Sequence, residues 1–255
     1  MPMIPEALFA TYGSARIGAV HSIVFGGFAA KELASRIIDS KPKVIVTASY
    51  GLEPNKKVNY VDILKEALDL SGHKCTVLIR QRPNLKLPCD PSWKEFSLES
   101  IEYKDIPCER MKSTDYLYIL YTSGTTGQPK GIVRDHGGTT VALNWTMNHI
   151  NDIHLGDTYF AASDIGWVVG HSFCVYGPML RGAATVLYEG KPTTPNPGAL
   201  WSIIEIYKVN GLYTSPTGLR AIRKEDNDGD WVDKFNISTL RSVSMAGERC
   251  DILTY

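Results

Sequence analysis

One stretch limits what this chain can be more than any other: Tyr121-Thr122-Ser123-Gly124-Thr125-Thr126-Gly127-Gln128-Pro129-Lys130-Gly131, which follows the apolar run Leu117-Tyr118-Ile119-Leu120. A β-prone run that breaks into hydroxyls, glycines and one lysine reads as a strand ending in an anion-binding loop. Small residues let the backbone approach a phosphate and expose its N–H groups. The hydroxyls of Ser123, Thr125 and Thr126 add donors, and Lys130 brings a positive charge to the β- and γ-phosphates. Together they suit a triphosphate. The stretch is not a Walker loop, which needs Gly-Lys followed by Ser or Thr, because Pro129 precedes Lys130 and Gly131 follows it. A kinase or GTPase reading falls on that point, and the competing reading is an ordinary Gly/Ser/Thr surface loop.

A chain of 255 residues can bury a sizeable core. Lysine plus arginine equal aspartate plus glutamate at 27 each, so no overall field draws it to nucleic acid or an anionic membrane. The five cysteines, Cys75, Cys89, Cys108, Cys174 and Cys250, are scattered, odd in number and free of CxxC spacing. That argues against a disulfide framework or a zinc site and for a reducing compartment. No run of apolar residues has membrane-spanning length, and Met1-Pro2-Met3-Ile4-Pro5 lacks the layout of a signal peptide. Any targeting segment is expected to be absent or to lie outside this sequence.

Along the chain, a helix over residues 6–17 opened by Pro5, a strand over 19–25, and a helix over 28–38 closed by Asp39-Ser40-Lys41-Pro42 are expected. Val44 to Ala48 is a buried-strand run, Val58, Val61, Leu64 and Leu68 mark a helix with Gly72 past its end, and Thr76 to Ile79 is another strand. Strand, helix, strand implies a parallel unit with a right-handed crossover. Residues 81–114 dissolve into prolines and charges. Beyond the loop come a helix over 139–150, strands over 159–162 and 184–187, and a helix through Leu200, Ile203, Ile204 and Tyr207 ended by Asn210-Gly211. A strand at 212–214, a helix over 216–223 and a strand at 242–245 complete the pattern. The repeated alternation predicts an α/β fold of layered βα sheets covered by helices.

Two later stretches, Ser163-Asp164-Ile165-Gly166-Trp167-Val168-Val169-Gly170-His171-Ser172 and Tyr188-Glu189-Gly190-Lys191-Pro192, join the loop in one resemblance. The chain resembles the AMP-forming acyl-CoA synthetases, and within them the short-chain, acetyl- and propionyl-type branch, from about Met3 to its last residue. The resemblance implies part of the large N-terminal domain of an adenylate-forming enzyme: 1–255 as a partial AMP-binding domain, without the small C-terminal lid domain and its lysine. It implies a ligase that joins a short carboxylate, propionate or acetate, to coenzyme A through an acyl-adenylate, with ATP, Mg2+ and coenzyme A as cofactors. The alternative is a catalytically incomplete module that only binds nucleotide. The subgroup implies the mitochondrial matrix, with the cytosol as the alternative.

By the same resemblance Thr122, Ser123 and Lys130 carry the chemistry, and Thr122, Ser123, Gly124, Thr125, Thr126, Gly127 and Lys130 hold the ATP phosphates. Gly247-Glu248-Arg249 occupies the place beside the adenine, where a glycine at a strand end permits flat contact with a ring; the competing reading is a plain strand-to-loop turn. Trp167 with Val168 and Val169 would line a small dry acyl slot, or pack in a core. Coenzyme A is expected at the turn Glu53-Pro54-Asn55-Lys56, where Lys56 and Lys57 would meet a phosphate and Glu53 opposes it. No metal-ligating residues are assigned. His136 and His171 need no acid/base role, because a carboxylate is already the nucleophile, and His171 is expected to be structural. Glu225 to Asp230 superficially resembles a calcium loop, but Lys224 and Phe235 fall where ligands are required. Asn144-Trp145-Thr146 and Asn236-Ile237-Ser238 match the glycosylation tripeptide without bearing on the argument.

Overall fold

The computed structural model describes residues 1–98, 102, 104–122, 129–252 and 254. The chain divides into two compact units, Met1–His136 and Gly137–Tyr255. Both are α/β, with parallel sheets and helices.

In the first unit, α1 (Pro5–Arg16) starts with proline in its first turn, where the missing N–H costs nothing. Next come α2 (Ala30–Ser40), β1 (Val44–Ala48), the hairpin strands β2 (Tyr50–Glu53) and β3 (Lys56–Asn59), α3 (Tyr60–Ser71), β4 (Thr76–Arg80) and β5 (Lys94–Glu95). β1 and β4 pair in parallel from Val44 opposite Thr76 to Ala48 opposite Arg80, and β5 extends the sheet on the far side of β4. Of the residues expected to mark α3, Val61 and Leu64 are buried and Leu68 is half-buried. Ala30, Ala34 and Ile37 of α2 meet Leu64 and Ala67 of α3 over Val77 of β4. Asn59 caps α3 by accepting from the N–H groups of Val61 and Asp62, and Gly72 ends it at φ 61°. β6 (Tyr116–Thr122) and β7 (Lys130–Asp135) form an antiparallel pair that closes the unit.

The second unit runs α4 (His136–His149), β8 (Thr158–Ala161), α5 (Val168–Gly170), a π-helical turn (His171–Tyr176), α6 (Gly177–Leu180), β9 (Ala184–Thr185), α7 (Ala199–Tyr207), β10 (Gly211–Thr214), α8 (Pro216–Glu225), a 3-10 turn (Val232–Lys234) and β11 (Ser242–Met245). Its parallel sheet has the order β11-β10-β8-β9. Phe160 of β8 lies opposite Leu212 of β10. Both pack with Leu200 and Ile204 of α7 and Ile222 of α8. Each such buried side chain contributes about 1.5–3 kcal/mol. The π turn packs against β8, where the buried Cys174 thiol donates to the Ala161 and Ser163 carbonyls at 3.3 and 3.4 Å. Burial pushes that thiol up to about 12, which suits a packing residue rather than a nucleophile.

Several expectations need correction. Residues 19–25 form no strand; only His21 bridges to Tyr118, because neither side of the segment presents a buried alternate face. Val58 belongs to β3 rather than to the helix, since the chain first turns back at Pro54-Asn55. α7 ends at Lys208, in the left-handed region at φ 52°, and Gly211 is already the first residue of β10. β9 spans two residues and stops short of Leu187. The helical run from Val168 to Leu180 was unforeseen, because Val-Val-Gly-His is a poor helix-forming start.

Candidate active site

The antiparallel register of β6 and β7 sets Thr122 directly opposite Lys130, with Tyr121 opposite Gly131. Both Thr122 and Lys130 are exposed. A hydroxyl and an ammonium group therefore stand at the mouth of the hairpin, on neighbouring strands. Ser123, Gly124, Thr125, Thr126 and Gly127 lie outside the described residues. The root of the hairpin is pinned to α2, where the Tyr121 hydroxyl donates to Asp39 at 2.6 Å. The Arg36 guanidinium lies 4.4 Å from the Phe28 ring centroid and 5.7 Å from that of Tyr121. Partial burial, then the bond to Asp39, push the Tyr121 phenol up to about 12, so it stays a proton donor at neutral pH. An open cleft of about 570 Å³ at this root is lined by Ser35, Ile38, Asp39, Lys41, Tyr121 and Pro129.

The residues expected to meet coenzyme A sit on the β2–β3 hairpin, with Glu53 opposite Lys56 and Pro54-Asn55 at the turn. Proline presets the first turn position. Lys56 and Lys57 are exposed. The Lys57 ammonium lies 5.1 Å and the Arg82 guanidinium 4.7 Å from the centroid of buried Tyr50, and Arg82 also donates to the Tyr50 carbonyl at 3.2 Å. Arg82 was not singled out in the sequence. It enters from the end of β4, with no local pattern linking it to the hairpin.

Trp167, Val168 and Val169 begin the helical run of the second unit. Trp167 is 46% and Val168 52% exposed, so neither is a core residue there. Their approach is set by the turn before them. Asp164 accepts from the Gly166 N–H at 2.7 Å, and the Asp164 carbonyl accepts from the Trp167 N–H at 3.0 Å. Burial raises the Asp164 carboxyl above its usual range, against the opposing bond from Gly166.

His171 follows on the π turn, fully buried, with Nδ1 3.2 Å from the Ile165 carbonyl. Desolvation holds its pKa at about 4 instead of the usual 6.5. Below pH 6.5 the unfolded chain takes up a proton that the folded chain refuses. Stability is therefore full above 6.5 and falls by about 1.4 kcal/mol per unit toward pH 4. Comparing wild type with His171→Gln by urea unfolding, the stability advantage of wild type is expected to shrink by about 2 kcal/mol between pH 7.5 and pH 5. An unchanged difference would contradict the assignment.

Gly247, at φ 102°, follows β11 in a conformation that suits glycine, and Arg249 beside it is exposed. The Glu248 carboxylate folds back onto α8. It accepts from the Thr217 N–H at 2.8 Å, from the Thr217 hydroxyl and from Arg220. Ser215 accepts from Gly218 at 3.1 Å, so the orphan donors in the first turn of α8 are divided between its own cap and Glu248. Arg220 also reaches Asp251 at 3.3 Å. The Thr217 bonds, ahead of Arg220, hold the Glu248 carboxyl below its usual range. Among the described residues no group of three or more His, Cys, Asp and Glu is arranged to hold a metal ion.

The family model of the AMP-binding enzymes matches residues 1–253. The chain belongs to the AMP-binding enzyme family. Among the family's curated members, the mouse mitochondrial acyl-CoA synthetase short-chain family member 3 is 49% identical over 261 residues, covering 100% of this chain and 38% of its own length. Acetyl-coenzyme A synthetase of Sinorhizobium fredii is 39% identical, over 97% of this chain and 39% of its own. Among solved structures, the acetoacetyl-CoA synthetase from Streptomyces lividans superposes with a TM-score of 0.86 at 26% identity, covering 98% of this chain and 38% of that one. The chain thus spans 38% of the length of the mouse relative. These proteins are acyl-CoA synthetases by name, and this chain shares the α/β fold of the Streptomyces lividans structure.

Proposed function

We propose that this chain is the nucleotide- and acyl-handling part of an AMP-forming ligase that joins a short-chain carboxylate, propionate or acetate, to coenzyme A. The carboxylate attacks the α-phosphate of ATP, pyrophosphate leaves, and the acyl-adenylate is then open to the thiol of coenzyme A. The observation that carries this reading is the pairing of Thr122 with Lys130 at the mouth of the β6–β7 hairpin. Bringing two anions together requires donors and a counter-charge held in place beforehand. Ser123, Gly124, Thr125, Thr126 and Gly127 extend that donor set to the phosphates, with Mg2+ arriving on the ATP. Gly247, Glu248 and Arg249 are the residues of the second unit that would meet the base. Trp167, Val168 and Val169 wall a slot for a few carbons, and the exposure of Trp167 and Val168 supports this over core packing. Glu53, Pro54, Asn55 and Lys56, with Lys57, meet the phosphates of coenzyme A. The mitochondrial matrix is the proposed compartment, by analogy with the mouse relative.

The span of 38% of that relative supports a second reading, in which the chain by itself binds nucleotide without completing the reaction. Carboxylate-dependent exchange of labelled pyrophosphate into ATP separates the two. It is measured on the 255-residue chain and on the longest natural form of the protein that carries it. Exchange driven by propionate or acetate in the longer form supports the ligase, and ATP binding without exchange in both supports the module. Trp167→Gly is expected to raise the carboxylate KM about tenfold or more, since a methylene alone changes binding by about 1–3 kcal/mol. An unchanged KM would remove Trp167 from the acyl slot.

A further inference from the structure

Arg220 belongs to none of the stretches that define the family resemblance, yet three contacts converge on it. It donates to Glu248, to the Thr217 hydroxyl at 3.0 Å and to Asp251 at 3.3 Å. Glu248 and Asp251 flank Arg249 and Cys250, so one guanidinium on α8 holds both ends of the segment that follows Gly247. Thr217 completes the arrangement by donating its N–H and its hydroxyl to the same carboxylate oxygen of Glu248. Segments that follow a strand of a parallel sheet are where such sheets meet their ligands, and Gly247 has turned the backbone there into the left-handed region. A planar fork that spans two carboxylates fixes direction as well as distance, which a lysine cannot do.

We infer that Arg220 is a positioning residue for the nucleotide base: by clamping Glu248 and Asp251 it fixes the plane in which Gly247-Glu248-Arg249 meets adenine. The inference rests on the ligase reading, in which that segment faces the base. It places the selectivity of the segment in a side chain that never touches the ligand.

Binding of ATP and of tripolyphosphate to the 255-residue chain, followed by calorimetry, tests it. Arg220→Met is expected to weaken ATP binding about tenfold while leaving tripolyphosphate within about twofold, because only ATP carries a base and each broken charged hydrogen bond acts locally. Arg220→Lys, which keeps the charge and loses the fork, should recover part of the loss. Equal ATP binding by Arg220→Met and wild type overturns the inference, as does an equal loss for both ligands, the mark of general unfolding. A wild-type chain that binds tripolyphosphate but shows no preference for ATP overturns it while leaving the phosphate loop intact. One that binds neither ligand removes the parent reading of the loop, and this one with it.

Discussion

Lys130→Ala is expected to lower carboxylate-dependent pyrophosphate exchange about a hundred- to a thousandfold, the scale on which a preorganised group facing developing charge acts. Lys130 is exposed at the start of β7, so the substitution removes a charge without opening a cavity. Its backbone keeps its place opposite Thr122, and stability should change by no more than about 0.5 kcal/mol. Loss of rate with an unchanged unfolding transition is the expected pair of results. Lys130→Arg retains the charge in a different shape and should fall between, because a guanidinium and an ammonium group meet phosphate differently. A Lys130→Ala enzyme that exchanges at the wild-type rate would mean that the triphosphate is held elsewhere.

Gly170→Ala is expected to destabilise the second unit by roughly 3 kcal/mol or more. A β-carbon at Gly170 would stand 2.0 Å from the Asp164 carbonyl oxygen, 2.4 Å from its carbon and 2.7 Å from the Ile165 nitrogen. All three are backbone atoms, so no side chain can swing aside to relieve the clash. The helical run would have to lift from the Asp164–Gly166 turn, straining the Trp167 N–H bond to the Asp164 carbonyl and the His171 contact with Ile165. Urea unfolding at neutral pH measures the loss. Val169→Ala, one residue earlier on a partly exposed position, serves as the comparison and should cost under about 1.5 kcal/mol. A Gly170→Ala chain within about 1 kcal/mol of wild type would mean that the turn and helix separate at little cost.

The elements that announced themselves in the sequence were those whose structure is set by near neighbours. Gly72 ends α3 and Pro216 opens α8, because such signals are written within a few residues of the helix they bound. β1 and β4 were readable as apolar runs flanking a helical stripe, and their parallel pairing follows from the crossover. The strand expected at residues 19–25 failed because β-propensity is expressed only where a partner strand pairs along the segment, and here only His21 bridges, to Tyr118. The contacts that organise the site were less legible for a related reason. Tyr121 with Asp39, Arg82 with Tyr50 and Arg220 with Glu248 join residues 82, 32 and 28 positions apart, and no spacing rule connects them. The loop and the Trp-Val-Val stretch were candidates readable from sequence, whereas these long-range partners became visible only in the fold.

The β2–β3 hairpin interrupts the passage from β1 to α3, yet the parallel register of β1 with β4 is unbroken and Asn59 closes one element while capping the next. The tip therefore behaves as a cassette mounted on a frame that does not sense its contents. Charge at Glu53 and Lys56 can therefore be exchanged at the tip while the sheet beneath keeps its shape.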